Sequence, residues 1–263
     1  MSIAYGQKKK ENASNSPTRA MRHHPAEPRM VYVEGGTFTM GCGENDKFDC
    51  TDDHNCSDGC YTDEFSLHQV TVSSFNIGRY EVTQAQWVAV MGSNPSNWKG
   101  DKLPVESVSW GDVQEFIARL NSKTGKQYRL PTEAEWEFAA RGGNRSKHYK
   151  YSGNNNIEAV AWYWGNAGEK THAVGTKSPN ELGIYDMTGN VWEWCSDWYG
   201  KYSSSSQTNP KGALGSIRVL RGGSWLNSAQ NCRVAGRGAY NPIPRLNVLG
   251  FRLVLPSSQN KRN

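Results

Sequence analysis

The sequence predicts a single α+β domain in which much of the chain is irregular. Three segments place a helix-capping residue ahead of apolar residues at helical spacing, and short stretches elsewhere alternate apolar and polar residues as strands do. The second half is rich in Gly, Trp and Asn and lacks the repeating βαβ pattern of a parallel sheet. With 263 residues and 36% hydrophobic content, the chain suits one sizeable core or at most two small ones.

The regular elements are predicted mainly in the first half. Strand-like alternation involves Val31, Val33, Phe38 and Met40 around Gly35-Gly36, then Val70, Val72, Phe75 and Ile77. The residues expected to cap three helices are Thr83 with Gln86, Ser109, and Thr132 with Glu135. The second helix carries an apolar face of Val113, Phe116, Ile117 and Leu120.

Charge and hydropathy exclude two classes of protein. The formal net charge is +5, but much of the basic excess lies in residues 1–28 and in Lys261-Arg262, which leaves the body close to neutral. Because no basic stripe with interleaved aromatics remains, we expect no nucleic-acid partner. No run approaches the roughly 20 apolar residues that a bilayer-crossing helix needs, so no transmembrane segment is predicted.

Residues 1–28 are predicted to be a disordered leader, because Lys, Asn, Ser and Pro dominate there and apolar periodicity is absent. Ala4-Tyr5-Gly6 has the small-x-small pattern of a cleavage site, which is typical of a signal-peptide remnant. We therefore expect a secreted or cell-surface protein, with a cytoplasmic protein as the alternative. Residues 29–256 then form the domain, and 257–263 form a tail.

Four of the six cysteines lie in an Asp-rich insertion, residues 41–64. They are Cys42, Cys50, Cys56 and Cys60, and the seven, five and three residues between them do not match zinc-ligand spacing. We expect two disulfides within the insertion, whose pairing the sequence leaves open. The carboxylates of the insertion suit either calcium or a solvated acidic loop.

Seven short motifs follow one another along the chain. They are V-E-G-G-T-F-T-M-G from Val33, Y-E-V-T from Tyr80, P-V with V-S-W from Pro104, R-L-P-T-E-A-E-W-E from Arg129, G-N-V-W-E-W from Gly189, R-G-G-S-W from Arg221 and G-F-R from Gly250. This order resembles the formylglycine-generating enzyme, or sulfatase-modifying factor, family over roughly residues 30–254. The resemblance implies that family's variant of the C-type lectin fold.

The resemblance also implies a calcium site at the G-N-V-W-E-W motif. Carried over from the family, the ligands are the backbone oxygens of Thr188, Gly189 and Val191 and the side chain of Glu193. Such an all-oxygen set suits a hard cation, and calcium is the cofactor we expect. The alternative is a Glu193 side chain bonded to a nearby Arg or to backbone amides.

Active members of the family resemble G-G-S-aromatic-x-Cys-x4-Cys, in which two thiolates bind Cu(I) for the oxidation of a substrate cysteine. Here Asn227 holds the first of these two positions and Cys232 holds the second. A carboxamide is a poor Cu(I) ligand, so we expect neither copper nor a catalytic residue. A residual oxidase that uses Cys232 is the alternative.

Cys232 also has a plainer interpretation. Cys195 is the only other cysteine outside the insertion, so a Cys195–Cys232 disulfide would complete three bridges in a secreted protein. We expect this pair, with a reactive Cys232 thiol as the alternative.

Residues 218–252 resemble the variable region of diversity-generating retroelement proteins, in which Asn codons are randomised at their adenines. The fourteen matching positions are Leu226, Asn227, Ser228, Asn231, Gly236, Gly238, Ala239, Tyr240, Asn241, Ile243, Pro244, Leu246, Asn247 and Val248. Every residue at these positions is one that an AAY codon reaches by changes at its adenines. The frame between them includes Arg233, Arg237, Arg245 and Arg252, which we expect to anchor the loop. The alternative is an ordinary loop rich in Asn and Pro.

These features predict a non-catalytic, receptor-like binder, a monomer that displays the variable residues to an unknown protein or surface ligand. Two other functions remain open at this point. One is a formylglycine-generating oxidase acting on sulfatase cysteines, or a related iron-type oxygenase. The other is a structural component of a surface or secretion assembly with the same fold.

Overall fold

The structure, a computed structural model, describes Met1 and residues 24–42, 60–212 and 214–257. Most of the predicted leader, most of the Cys/Asp-rich insertion with Cys50 and Cys56, and most of the predicted tail lie outside the described residues. Within those ranges, no helix is long and apolar enough to cross a bilayer.

Short strands in the described residues form three small sheets. In chain order the strands are β1 (Met30–Val33), β2 (Gly36–Met40), β3 (His68–Val72), β4 (Phe75–Gly78), β5 (Trp192–Trp198), β6 (Gln207–Thr208), β7 (Arg218–Arg221), β8 (Arg237–Tyr240), β9 (Leu249–Gly250) and β10 (Val254–Pro256). The strand orders are β1-β4-β10, β2-β3-β6 and β8-β7-β5-β9. Because β4 pairs antiparallel with both β1 and β10, the start and the end of the domain meet on one strand.

The helices in the same part of the chain are α1 (Gln84–Met91), α2 (Trp110–Thr124), α3 (Glu133–Ala140) and α4 (Ile157–Val160). The three predicted N-caps are confirmed, since Thr83, Ser109 and Thr132 each accept a hydrogen bond from the backbone N–H three residues later. α1 and α2 end at Gly92 and Gly125, whose φ angles of 85° and 69° lie in the left-handed region that favours glycine.

Two apolar clusters make up most of the core. The first joins α1 and α2 to β5 and β9, and in it the ring of Trp87 stacks on that of Phe116 with centroids 5.2 Å apart. The second joins α3 to the strands of the first two sheets and includes Trp136 and Phe138. Every residue of α3 is buried, so the acidic side chains of this helix need partners inside the protein.

Buried arginines are the partners of Glu133 and Glu137, and they also hold the irregular second half. Arg237 donates to both carboxylate oxygens of Glu133 at 2.7 and 2.9 Å. Arg221 bonds the carboxylate of Glu137 and the backbone oxygens of residues 234–236. One guanidinium group therefore ties α3 to a loop that has no strand pairing of its own.

Three further arginines of the predicted frame form the same kind of pair. Arg233 binds Glu64 at 2.7 and 2.6 Å, Arg252 binds Glu193 at 2.6 and 2.5 Å, and Arg245 binds Asp112 at 2.6 and 2.7 Å. The first two pairs are buried, whereas the Arg245 side chain is 60% exposed. The predicted anchoring role of the frame arginines is confirmed.

The packed part of the chain begins earlier than the predicted boundary at residue 29. Ala26 is only 1% exposed and lies in the first core cluster. Glu27 forms an ion pair with Lys126 and accepts a hydrogen bond from the Tyr128 hydroxyl at 3.4 Å. Composition placed residues 24–28 in the leader, but a small apolar side chain and one carboxylate are enough to dock them.

Breaking a buried pair should be far more costly than breaking an exposed one. Arg252→Met leaves the Glu193 carboxylate buried without its partner, so we expect the free energy of unfolding to fall by about 3–5 kcal/mol. The matched change Arg245→Met breaks the exposed pair with Asp112 and should cost less than about 1 kcal/mol. Urea titration followed by tryptophan fluorescence measures both values, and equal losses would contradict the anchoring role.

Candidate ligand-binding surface

Apart from Gly236, the predicted variable residues lie in three pieces of chain: residues 226–232, which include a 3-10 turn, then β8, then the loop 241–248. Those that are exposed are Leu226, Ser228, Tyr240, Asn241 and Ile243. Those that are half-buried are Asn227, Asn231, Gly238, Ala239, Pro244, Leu246, Asn247 and Val248. All predicted positions except Gly236 therefore reach the surface at least in part.

Frame residues alternate with these positions, and most of them are buried, although Ala229, Gln230 and Pro242 are half-buried. Residues 232–235, Arg237 and Arg252 are buried, and Trp225 is 7% exposed. Arg245 is an exposed member of the frame, although its pair with Asp112 fixes it. The segment thus separates residues that hold the loop from residues that face outward.

Gly236 does not belong to the variable set. The residue is buried, and a Cβ atom added to it would lie 2.7 Å from the backbone oxygen of Asn231 and 3.1 Å from that of Arg233. Backbone oxygens cannot move aside as the end of a flexible side chain can. The position requires glycine, and its assignment to the ligand-contacting residues is wrong.

The loop after β8 is fastened to the first core cluster. Backbone N–H groups of Ser107 and Trp192 donate to the backbone oxygens of Leu246 and Val248 at 3.0 and 2.8 Å. The side chains of Leu246 and Val248 also pack against that cluster. These two residues contribute to stability, so the freely variable part of the loop is smaller than the sequence indicates.

Trp225 fixes the surface on its other side. Its indole Nε1 donates to the backbone oxygen of Asn247 at 3.1 Å, and its ring meets that of Trp98 edge-on with centroids 5.0 Å apart. The next residue, Leu226, is 54% exposed. An exposed residue thus follows directly on a buried aromatic anchor.

An exposed aromatic residue beside this surface was not predicted. Trp164 is 71% exposed, and its backbone N–H donates to the backbone oxygen of Asn227 at 3.0 Å. An exposed indole next to a varied, partly apolar surface is typical of a residue that a partner covers. The sequence signal is only the run of three aromatic residues 162–164, and sequence alone does not show which of them is exposed.

The two positions of the family's copper pair meet at Ser224. Its hydroxyl donates to Asn227 Oδ1 at 2.6 Å, and its backbone N–H bonds the sulfur of Cys232. Cys232 is fully buried, and burial raises the pKa of its thiol to about 12. The arrangement presents one amide and one protonated thiol rather than two thiolates.

The predicted disulfide between Cys195 and Cys232 does not form, and both cysteines are free. Cys195 lies on β5 in the second core cluster, whereas Cys232 packs with Tyr151 and Ile157 in a separate small cluster. The prediction paired them by elimination and took no account of where the fold places each one. Burial raises the pKa of both thiols, which also argues against a reactive Cys232.

Cys42 and Cys60 form a disulfide that closes the insertion. One of the two bridges predicted there is therefore confirmed, while Cys50 and Cys56 lie outside the described residues. Both bonded cysteines are buried against Ala235, next to the frame of the variable segment.

One residue of the predicted calcium site has other partners. Both carboxylate oxygens of Glu193 accept from Arg252, and Oε2 also accepts from the Trp136 indole at 2.6 Å. Glu193 thus has the arginine partner that the sequence left as the alternative. The calcium site, with the backbone oxygens of Thr188, Gly189 and Val191, stays a prediction.

Comparison with known proteins decides the family. The sulfatase-modifying factor enzyme 1-like domain matches residues 15–256. The chain belongs to this family. It is 37% identical over 193 residues to the formylglycine-generating enzyme of Streptomyces coelicolor, which covers 63% of this chain and 59% of that enzyme.

Other relatives of this chain are described as proteins of different kinds, a chaperone and a variable protein. A chaperone protein, LppX of Paenibacillus barcinonensis, is 35% identical over 262 residues, or 81% of this chain and 84% of LppX. The solved structure of Treponema denticola variable protein 1 superposes with a TM-score of 0.74 and 34% identity, over 86% of this chain and 94% of that one. The predicted C-type lectin-like α+β fold and the likeness to retroelement variable proteins are confirmed.

The environment of the two free thiols predicts their reactivity. Cys195 and Cys232 should resist iodoacetamide in the native protein at pH 8, because burial keeps both protonated and covered. Both should react after unfolding in urea. Peptide mapping by mass spectrometry distinguishes the two states, and rapid native labelling of Cys232 would revive the reactive-thiol alternative.

Proposed function

We propose that this chain is a non-catalytic ligand-binding protein with a diversified C-terminal surface, of the kind that diversity-generating retroelements produce. The observation that carries the proposal is the alternation within residues 226–248. Positions predicted to vary are exposed or half-buried, except Gly236, whereas residues 232–235 and Arg237 of the frame are buried and the frame arginines pair with carboxylates. The likeness to a variable protein with the same fold supports it.

Such an arrangement allows recognition to change without loss of the fold. Substitutions at exposed positions usually alter the free energy of unfolding by less than about 0.5 kcal/mol. Loops on a rigid scaffold are also where binding residues concentrate. The exposed residues of this segment can therefore be exchanged while the arginine pairs keep the loop in place.

The chemistry of the surface favours a protein ligand. Its exposed side chains include the aliphatic Leu226 and Ile243 and the aromatic Tyr240, and Trp164 adds an indole that lies outside the varied positions. Tyr and Trp are enriched among the few residues that carry most of the binding energy of protein interfaces. Trp164 would be a constant contact beside changing ones.

The bridge between Cys42 and Cys60 supports a location outside the cytoplasm. Disulfides form and persist in oxidising compartments, and the pair closes the insertion next to the variable segment. A secreted or cell-surface protein fits both this bridge and a ligand presented from outside.

A pair of libraries tests the proposal. Randomising Leu226, Tyr240 and Ile243 should leave most variants folded and should yield binders to an arbitrary target such as lysozyme. Randomising the buried Val219 and Val234 should unfold most variants, because losses in the core typically cost about 2–5 kcal/mol. Protease resistance of displayed variants gives the folded fraction. Similar folded fractions in both libraries, or no binders from the first, would refute the proposal.

The absence of a copper thiolate pair predicts no oxidase activity. Supplied with Cu(I), oxygen and a Cys-x-Pro-x-Arg peptide, the purified protein should give no formylglycine by mass spectrometry, because Asn227 replaces one thiolate. An active enzyme of the family run in parallel shows that the assay works. Turnover above a metal-free control would favour the oxidase instead.

A further inference from the structure

The guanidinium group of Arg218, at the start of β7, lies between two indole rings. Its Cζ atom is 3.4 Å from the ring centroid of Trp198 and 3.9 Å from that of Trp110. Stacking on both sides fixes the plane of the group. Only the edges of the guanidinium are then left for hydrogen bonds.

One of those edges has no partner. Nη1 donates to the backbone oxygen of Ser196 at 2.6 Å. Nε is buried without any acceptor, and none of the described residues accepts a hydrogen bond from Nη2. A buried donor without an acceptor is unfavourable, so a ligand that supplied an acceptor would relieve that penalty on binding.

Elsewhere in this chain the same edge binds a carboxylate. Arg237, Arg245 and Arg252 each place Nε and Nη2 on the two oxygens of one acidic side chain, at distances between 2.5 and 2.9 Å. This side-on fork matches the spacing of carboxylate oxygens. Arg218 has the fork and lacks the carboxylate.

Arg218 lines a surface cleft of about 670 Å³, which brings a second cation to the site. Lys211 also lines the cleft, and none of the described residues forms an ion pair with it. Of the other charged groups, Arg129 pairs with Glu135, and Asp197 accepts from the backbone N–H groups of Glu133 and Gly212 and from the Ser196 hydroxyl. Three cations and two carboxylates thus line the cleft, which leaves a surplus of one positive charge.

We propose that Arg218 binds a carboxylate of an external ligand through Nε and Nη2, with Lys211 as a second, looser contact. The site adjoins the variable surface, because Arg218 pairs with the exposed Tyr240 in the register of β7 and β8. An acidic peptide is the ligand class that both the fork and the surplus charge fit. Arg218 offers this fork whether or not the neighbouring surface is diversified.

Arginine-detected NMR of the intact chain tests the site directly. The Arg218 Nε–H resonance should shift saturably when acetate or a capped oligoglutamate peptide is added, since the proton gains an acceptor. Capped oligoglutamine and sodium chloride of equal ionic strength should cause no saturable shift. A peptide that is acetylated at its amino terminus, has a free carboxyl terminus and lacks acidic side chains distinguishes terminal from side-chain carboxylates. A saturable shift with this peptide or with oligoglutamate supports the site.

Substitution gives a second readout. Arg218→Lys keeps the charge but loses the fork, and should weaken oligoglutamate binding by about tenfold or more. Arg119→Lys, at an exposed arginine that pairs with Glu115 on α2, is the matched control and should leave the affinity unchanged. The proposal is overturned if the Arg218 Nε–H resonance of the unmodified protein shows no saturable shift with acetate or with a carboxylate-bearing peptide. Saturation by inorganic phosphate alone would also overturn it. Both outcomes can be read even if Arg218→Lys fails to fold.

Discussion

Buried guanidinium groups hold together the irregular parts of this protein, as backbone hydrogen bonds between strands hold a regular sheet. Each group donates to several acceptors on segments that have no strand pairing. Arg221 shows this most fully, since it joins one carboxylate of α3 to three successive backbone oxygens. Taking such charges out of water is costly, and the pair gives back little net stability by comparison with an apolar core. What it does supply is a fixed geometry for an irregular chain.

α3 explains why the acidic partners lie where they do. The helix is short and wholly buried, yet Glu133, Glu135 and Glu137 alternate along it. Each carboxylate meets a different arginine: Arg237, Arg129 and Arg221, respectively. A single helix in the core thus holds loops from distant parts of the sequence. The R-L-P-T-E-A-E-W-E motif contains the N-cap and the three glutamates of this helix.

Local patterns predicted the local structure well. Each N-cap identified from a Ser or Thr ahead of an apolar period begins a helix, and each run of alternating apolar residues lies in a strand, because these signals are complete within a few residues. The positions predicted to vary were identified through codon chemistry, and all but Gly236 are at least partly exposed. Gly236 shows the limit of that signal, since a glycine required by close backbone contacts has the same codon route as a varied one.

The remaining errors have a common cause. Cys195 and Cys232 looked like a pair only because no other cysteine was left, and the fold puts them in different clusters. Trp164 and Arg218 owe their character to neighbours that are tens of residues away, so no window along the chain shows it. Contacts between residues that are far apart in the sequence cannot be read from a single sequence.

The bridge between Cys42 and Cys60 makes the insertion topologically independent of the domain. Cys42 and Cys60, near its two ends, are joined covalently with Cα atoms 5.8 Å apart. The intervening residues therefore cannot separate those ends. Chains whose termini lie close together are the ones that domains accept as inserts. The protein therefore has, next to its predicted variable segment, a point at which a second folded module could be inserted without strain on the frame.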